Sequence, residues 1–424
     1  MNYKDFFKNK KIAIIGLGPH GEMITDIKFL LRIGANISLY DLRSIDKVRG
    51  YISILEEAGL TEYYLGKINN DQILDKDLII IHYDISKKYS FLKRAIEKSI
   101  PIEYPNILFL KLVPPITLIG VMGACGKSTV CNMIYTVLKK SFVEYENQGL
   151  FFIDPDSTNG SISHLKKIKQ GDVVLARIPE ELMNEYFISR ISPHVAVITS
   201  ITSAAENKSK DAFSILEYQT YNNFIVGPDD VIDSIRHIID FTPKAKMLRT
   251  HPTNQALAIQ TGELFKVSKE IGESILNDFS GLKGRGELIK KVKNVEFYND
   301  AYSTNPKATL YTMMNLSIDR NLILIFGGAY TRYDYRILIN TFPQYIKAIV
   351  LLPGSGTLGL REDIKVIENI GFAQSYDLED ASSKALELAK KGDRVVFSPG
   401  CEAIGIYSSR KDRGEDFIRS VRAL

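Results

Sequence analysis

Three α/β domains in series are predicted by this 424-residue sequence, and three observations carry the prediction. Short apolar strand patterns alternate with amphipathic helix patterns almost throughout, the signature of parallel sheets covered by helices. Glycine-rich turns at 16–21 and 120–126 each lie between an apolar strand and a helix, where open α/β sheets take nucleotides. A proline-rich join at Val113-Pro114-Pro115 and a glycine-dense stretch at 278–287 break the pattern, giving domains at 1–112, 113–283 and 284–424. The first and last read as Rossmann-like α/β domains, and the central one as a phosphate-loop domain with a mostly parallel sheet.

Composition narrows the class. A 45% hydrophobic chain of this length can bury several cores, and 54 basic against 50 acidic residues leave a net charge of only +4. So mild and evenly spread a charge predicts no nucleic-acid or membrane partner. Cys125, Cys131 and Cys401 have neither pairing nor metal-ligand spacing, which fits a reducing compartment. The basic start, Met1 to Lys11, and the apolar run Ile12 to Ile15 imitate a signal peptide but are too short for one. No apolar stretch approaches the ~20 residues of a membrane helix. The expectation is a cytoplasmic, soluble monomer.

In the first domain, residues 11–16 form a strand and Gly16-Leu17-Gly18-Pro19-His20-Gly21 follows as G-x-G-x-x-G. Met23, Ile27, Leu30 and Leu31 mark a helix that ends near Gly34. A second strand, 37–40, delivers Asp41 about 20 positions past the glycines, as in a dinucleotide fold. Gly18, Pro19, His20, Asp41, Leu42 and Arg43 can grip a uridine nucleotide as well as an adenosine one, and a nicotinamide dinucleotide is a further reading of the same turn. A buried strand at 78–81 leads to the proline-rich join.

The central domain opens on Gly120-Val121-Met122-Gly123-Ala124-Cys125-Gly126-Lys127-Ser128-Thr129. Ile116, Leu118, Ile119 and Val121 read as a buried strand, while Val130, Met133, Ile134, Val137 and Leu138 share one helix face. Gly123 and Gly126 let the backbone approach phosphates, the amides around Ala124, Cys125 and Thr129 face the charge, Lys127 reaches the terminal phosphates and Ser128 offers a hydroxyl to Mg²⁺. Val121 stands where the common P-loop has its first glycine, so this is a tighter form of the loop. Strands at 172–176 and 195–199 should deliver Arg177-Ile178-Pro179-Glu180-Glu181 and the segment from Ser200 to Glu206 to the same edge. Glu180, Glu181 and Glu206 are available to a metal, although each also suits a solvated helix start.

The third domain has a strand at 295–298 ending in Asn299-Asp300 and a helix entered through Thr304-Asn305-Pro306. Strands follow at 322–326, ending in Gly327-Gly328, at 348–352, and at 394–397, ending in Ser398-Pro399-Gly400. Polar and glycine residues again gather at strand ends. A cleft between the second and third domains, with a second substrate on the first, is the expected arrangement.

Separated motifs in this order resemble the Mur ligases, most closely the branch that adds D-glutamate. The loop at 120–129 is similar to G-I-T-G-T-N-G-K-S-T, Gly281-Leu282-Lys283-Gly284-Arg285 to G-L-P-H-R, and Asn299 to Pro306 to N-D-S-K-A-T-N-P. Ser398-Pro399-Gly400-Cys401 and Arg413-Gly414-Glu415-Asp416-Phe417 are similar to the S-P-A-C and R-G-x-x-F stretches. The resemblance implies ATP-dependent amide formation: a carboxylate on a UDP-linked muramyl substrate takes the γ-phosphoryl group, and an amino acid displaces phosphate. It also implies that Lys127, Arg285 and Asp300 act in catalysis, that the last two and Gln255 contact ATP, and that Pro19, His20, Asp41, Leu42 and Arg43 line a uridine pocket. Arg332, Ala403 and Tyr407 fall at amino-acid-binding positions.

Departures cluster around the expected metal site. Ala176 stands for a magnesium-binding glutamate, Ala204-Ala205 for a segment carrying a histidine, and Ala212 for a carbamylated lysine, with Lys208 and Lys210 nearby. A nucleotide-binding homologue that serves as a regulatory scaffold is therefore the alternative reading.

Overall fold

The computed structural model describes residues 2–69, 71, 73–142, 148–201, 213–277, 279, 281–329, 333–403, 407 and 409–424, with the side chains at 141 and 142 left aside. Arg332, Thr331, Ala204, Ala205, Glu206, Lys208, Lys210 and Ala212 lie outside them. The chain forms two compact units, 1–277 and 278–424.

The first unit carries two sheets. One comprises β1 (Lys11–Ile15), β2 (Asn36–Asp41), β3 (Glu62–Leu65), β4 (Leu78–Ile81) and β5 (Ile102–Glu103), all parallel, in the order β3-β2-β1-β4-β5. β4 reads Leu-Ile-Ile-Ile and is buried throughout, as a strand covered on both faces must be. The order reverses between β1 and β4, so the ligand-binding switch point lies at their carboxyl ends. The helix after the first glycine turn is Ile24–Arg32, and Gly34 stops it with a φ of +85°.

The second sheet comprises β6 (Thr117–Met122), β7 (Leu150–Ile153), β8 (Val173–Arg177), β9 (Val195–Ile198), β10 (Phe224–Pro228) and β11 (Lys246–Thr250) in the order β11-β10-β9-β6-β8-β7. Every pairing is parallel. All six strands therefore end at one edge, with β6 in the interior and β7 at one margin. The two sheets share a continuous apolar core that runs from Phe7 through Ile107 to Ile235. Asp26, buried on the helix Ile24–Arg32, pins them further by accepting the N–H groups of Ser161 and Ser163 at 2.9 and 2.8 Å.

The second unit has one sheet of β12 (Glu287–Val292), β13 (Val295–Asn299), β14 (Leu322–Phe326), β15 (Ile346–Leu351), β16 (Gly371–Gln374) and β17 (Arg394–Phe397), ordered β12-β13-β17-β14-β15-β16. β12 and β13 make an antiparallel hairpin whose two turn residues, Lys293 and Asn294, have positive φ, as a tight hairpin of right-handed twist requires. The other pairings are parallel. Asn305 caps the helix Pro306–Leu316 by accepting Ala308 N–H, with Pro306 in the first turn as the Thr-Asn-Pro sequence predicts.

Candidate functional site

The loop after β6 has the conformation its glycines allow. Gly123 and Gly126 have φ of +126° and +83°, and a Cβ on Gly123 would come within 2.5 Å of Thr199 Oγ1 and 2.8 Å of the Ser200 backbone. The segment after β9 thus packs directly on the loop, with Thr199 Oγ1 donating to Cys125 O at 2.5 Å. Lys127 opens the helix Lys127–Phe142 and folds its Nζ onto Gly123 O at 2.5 Å and Ala124 O at 3.2 Å. Burial, then the neighbouring Arg177, lowers its pKa. Ser128 and Thr129 follow in the first helical turn, where backbone N–H groups lack intrahelical partners and suit an anion.

A second cation was legible in the sequence without its role. Arg177 ends β8 in register with Val121 of β6, and its side chain is only 7% exposed. Two residues that follow β7 hold it: Nε donates to Asp154 Oδ1 at 2.5 Å, and Nη2 lies 2.5 Å from Asp156 Oδ2. Burial disfavours the charged guanidinium, but the two carboxylates outweigh it and raise its pKa. Tyr83, just past β4 of the first sheet, hydrogen-bonds Asp156. Glu180 and Glu181 are exposed in the first turn of the helix Glu180–Ile188, the helix-start placement allowed for in the sequence.

At the first sheet's switch point, Gly16, Gly18 and Gly21 all have positive φ. Asp41 is 3% exposed and is saturated: it accepts Leu17 N–H at 2.9 Å and Arg43 N–H and Nε–H, each at 2.9 Å, while Arg43 Nη2 pairs with it at 2.7 Å. Arg43 Nη2 also reaches Gly18 O at 3.1 Å. Burial opposes ionisation of Asp41, but the Arg43 contacts and Leu17 N–H prevail and lower its pKa. Gly18, Asp41, Leu42 and Arg43 therefore form one cluster, with Pro19 and His20 exposed at its mouth. Sequence reasoning missed His82, which is 4% exposed past β4, accepts Asp84 N–H on Nδ1 and has no partner for Nε2 among the described residues. A lone histidine after a strand gave no signal for it.

Gln255 is exposed at the start of the helix Asn254–Glu263, which packs on Lys127–Phe142.

In the second unit Asp300 is 2% exposed, accepts Gly286 N–H at 3.1 Å and takes the Ser398 hydroxyl at 2.6 Å. Burial pushes its pKa up to about 6 against hydrogen bonds from Ser303 and Ser398. It thereby anchors the turn bearing Arg285, whose guanidinium lies over the Tyr302 ring. Ala403 is buried, and its carbonyl accepts Tyr407 N–H at 3.0 Å. Tyr407 donates its hydroxyl to Asp416 at 2.8 Å. Arg413, named in the sequence only as part of a motif, is buried and ties the ends of β17 and β13 together by donating to Cys401 O and Ala301 O.

A family model described as the Mur ligase, glutamate ligase domain, matches residues 284–401. A relative from Clostridioides difficile (strain 630), named UDP-N-acetylmuramoylalanine--D-glutamate ligase, is 26% identical over 98% of this chain and 99% of its own. The chain is thus similar to Mur ligases, by a family model in its last third and by a relative along its whole length. The chain also shares its fold with two solved proteins of Thermotoga maritima. They are the UDP-N-acetylmuramate-alanine ligase MurC (TM-score 0.58, 16% identity, 98% and 100% of the two chains) and the MurF ligase in complex with ADP (TM-score 0.58, 14% identity, 100% and 97%). No helix among the described residues is long and apolar enough to cross a membrane.

Proposed function

We propose that this protein is a Mur ligase that forms an amide bond at the expense of ATP, joining an amino acid, D-glutamate or a variant of it, to UDP-N-acetylmuramoyl-L-alanine for peptidoglycan precursors. The end-to-end correspondence with a D-glutamate ligase, over 98% of one chain and 99% of the other, carries the reading. The chemistry needs two nucleotide-type sites on one scaffold, and the first unit has a glycine turn at the end of each of β1 and β6.

In the first step a substrate carboxylate oxygen bonds to the γ-phosphorus as the bond to the β,γ-bridging oxygen breaks, and ADP leaves with the electron pair. The amino acid's amine then attacks the acyl carbon, and phosphate leaves as the amine sheds a proton. Lys127 leaves its loop carbonyls to meet the terminal phosphates, and amides at the start of Lys127–Phe142 hold the rest of the charge. The residues fit a magnesium ion carried in with the nucleotide, through the Ser128 hydroxyl, where it would offset phosphate charge. No group of three His, Cys, Asp or Glu among the described residues converges into a further cage. The cluster of Gly18, Asp41 and Arg43 takes the uridine nucleotide, and Ala403 and Tyr407 belong to the amino-acid site. Arg285, anchored through Asp300, remains a candidate contact to ATP.

The test is a mass-resolved product from ATP, UDP-N-acetylmuramoyl-L-alanine and a panel of amino acids. The reading expects one nucleotide-linked adduct, and the absence of any adduct would sink it.

A further inference from the structure

Arg177 has more donor capacity than its partners use. Among the described residues only Nε–H makes an aligned hydrogen bond, to Asp154, while Nη2 pairs with Asp156 out of hydrogen-bond alignment and the outer edge makes no other hydrogen bond. A guanidinium has five N–H groups and no acceptor, so a buried one with its outer edge unfilled suits a planar oxyanion.

Its position says which oxyanion. β8 is the parallel neighbour of β6, and the Arg177–Val121 register puts the arginine about 4.8 Å across from the strand that runs into the phosphate loop. Lys127 and Cys131, on the helix that follows, both feel its charge. On the other side, Asp156 meets Tyr83, which directly follows His82 at the switch point of the first sheet. Arg177 thus stands between the phosphate loop and the edge that takes the second nucleotide, where a γ-phosphate and a carboxylate, both anionic, must be brought together.

We propose that the outer edge of the Arg177 guanidinium binds the carboxylate of the UDP-linked acceptor and holds it against the γ-phosphate beside Lys127. This rests on the ligase reading above. In that step the carboxylate oxygen gains the bond to phosphorus, the β,γ-bridging oxygen leaves with ADP, and Arg177 keeps its protons throughout. Asp154 and Asp156 are positioning residues that aim the fork.

The experiment measures acyl phosphate, trapped as hydroxamate with hydroxylamine and no amino acid present. It is paired with equilibrium binding of UDP-N-acetylmuramoyl-L-alanine and of UDP-N-acetylglucosamine, which lacks the carboxylate. Arg177→Lys keeps the charge and loses the fork. Arg177→Met combined with Asp154→Asn and Asp156→Asn avoids leaving two carboxylates unpaired. Both variants should bind ATP and UDP-N-acetylglucosamine within about threefold of wild type and lose the preference for the carboxylate-bearing ligand. Hydroxamate formation should fall by about 10²-fold or more in the triple variant. Wild-type hydroxamate rate and ligand preference in Arg177→Lys would overturn the assignment alone. A wild-type protein that forms no hydroxamate would overturn the ligase reading and this assignment with it.

Discussion

Ser200 accepts the backbone N–H of Cys125 on its hydroxyl at 2.9 Å, and its carbonyl takes the N–H of Ala124 at 3.1 Å. Two amides of the phosphate loop are thus engaged by the segment after β9, which leaves the start of Lys127–Phe142 as the main cradle. Lys127→Ala should weaken ATP binding about 10–100-fold, the loss of charge-assisted bonds worth ~1.5–3 kcal/mol. Ser200→Ala should stay within about threefold of wild type. Calorimetric titration with a non-hydrolysable ATP analogue compares them, and equal losses would contradict this division of roles.

Gly18 admits a side chain only with backbone strain and displacement of Glu22. Its φ is +79°, and a Cβ there would lie 2.1 Å from Glu22 Oε2 and 3.0 Å from His82 Nε2. Gly18→Ala should abolish binding of UDP at concentrations that saturate wild type, while ATP affinity at the phosphate loop stays within about threefold. Loss of both affinities would mean that the first unit as a whole had failed.

Asp41→Ala removes the acceptor of the buried Leu17 N–H and strands Arg43. The expected cost is about 1–3 kcal/mol of unfolding free energy, read from urea denaturation, because a buried donor is left unsatisfied. Arg43→Ala should also lower stability, because it leaves the buried Asp41 carboxylate without its cation, and should lower UDP affinity as well.

Asp300 makes stability depend on pH in an unusual sense for a carboxylate. Its folded pKa of about 6 lies above the ordinary 3.8, so the native state holds the proton longer than the unfolded chain does. Its contribution is fully present below about pH 4 and is lost as pH rises through about 6. Asp300→Asn should flatten this part of the profile, shrinking the difference in unfolding free energy between pH 4.5 and 7 by on the order of 2 kcal/mol. An unchanged profile in the variant would rule out Asp300 as its source.

The strands predicted from sequence are interior ones, such as Leu78–Ile81 and Leu322–Phe326, because burial on both faces leaves an unbroken apolar run. The strands it leaves out, β3, β5, β7, β10, β11, β12 and β16, are all sheet edges apart from β10. β11, Lys-Met-Leu-Arg-Thr, and β12, Glu-Leu-Ile-Lys-Lys-Val, carry the charges that protect an edge from further pairing, and those charges hide the strand pattern.

The same blind spot covers part of the site. Glycine turns, Lys127 and Asp41 announce themselves by local spacing, whereas Arg177 gains its meaning from Asp154 and Asp156, which follow the edge strand β7. Asp300 is legible as a motif residue, but its burial beneath Gly286 and Ser398 comes only from tertiary packing.

The most direct test of the central claim is ADP release from ATP, measured with and without UDP-N-acetylmuramoyl-L-alanine and the amino acid, for wild type and Lys127→Ala. The account predicts that sustained, multiple-turnover release requires both substrates and disappears in the variant. Release that ignores the substrates, or survives loss of Lys127, would contradict it.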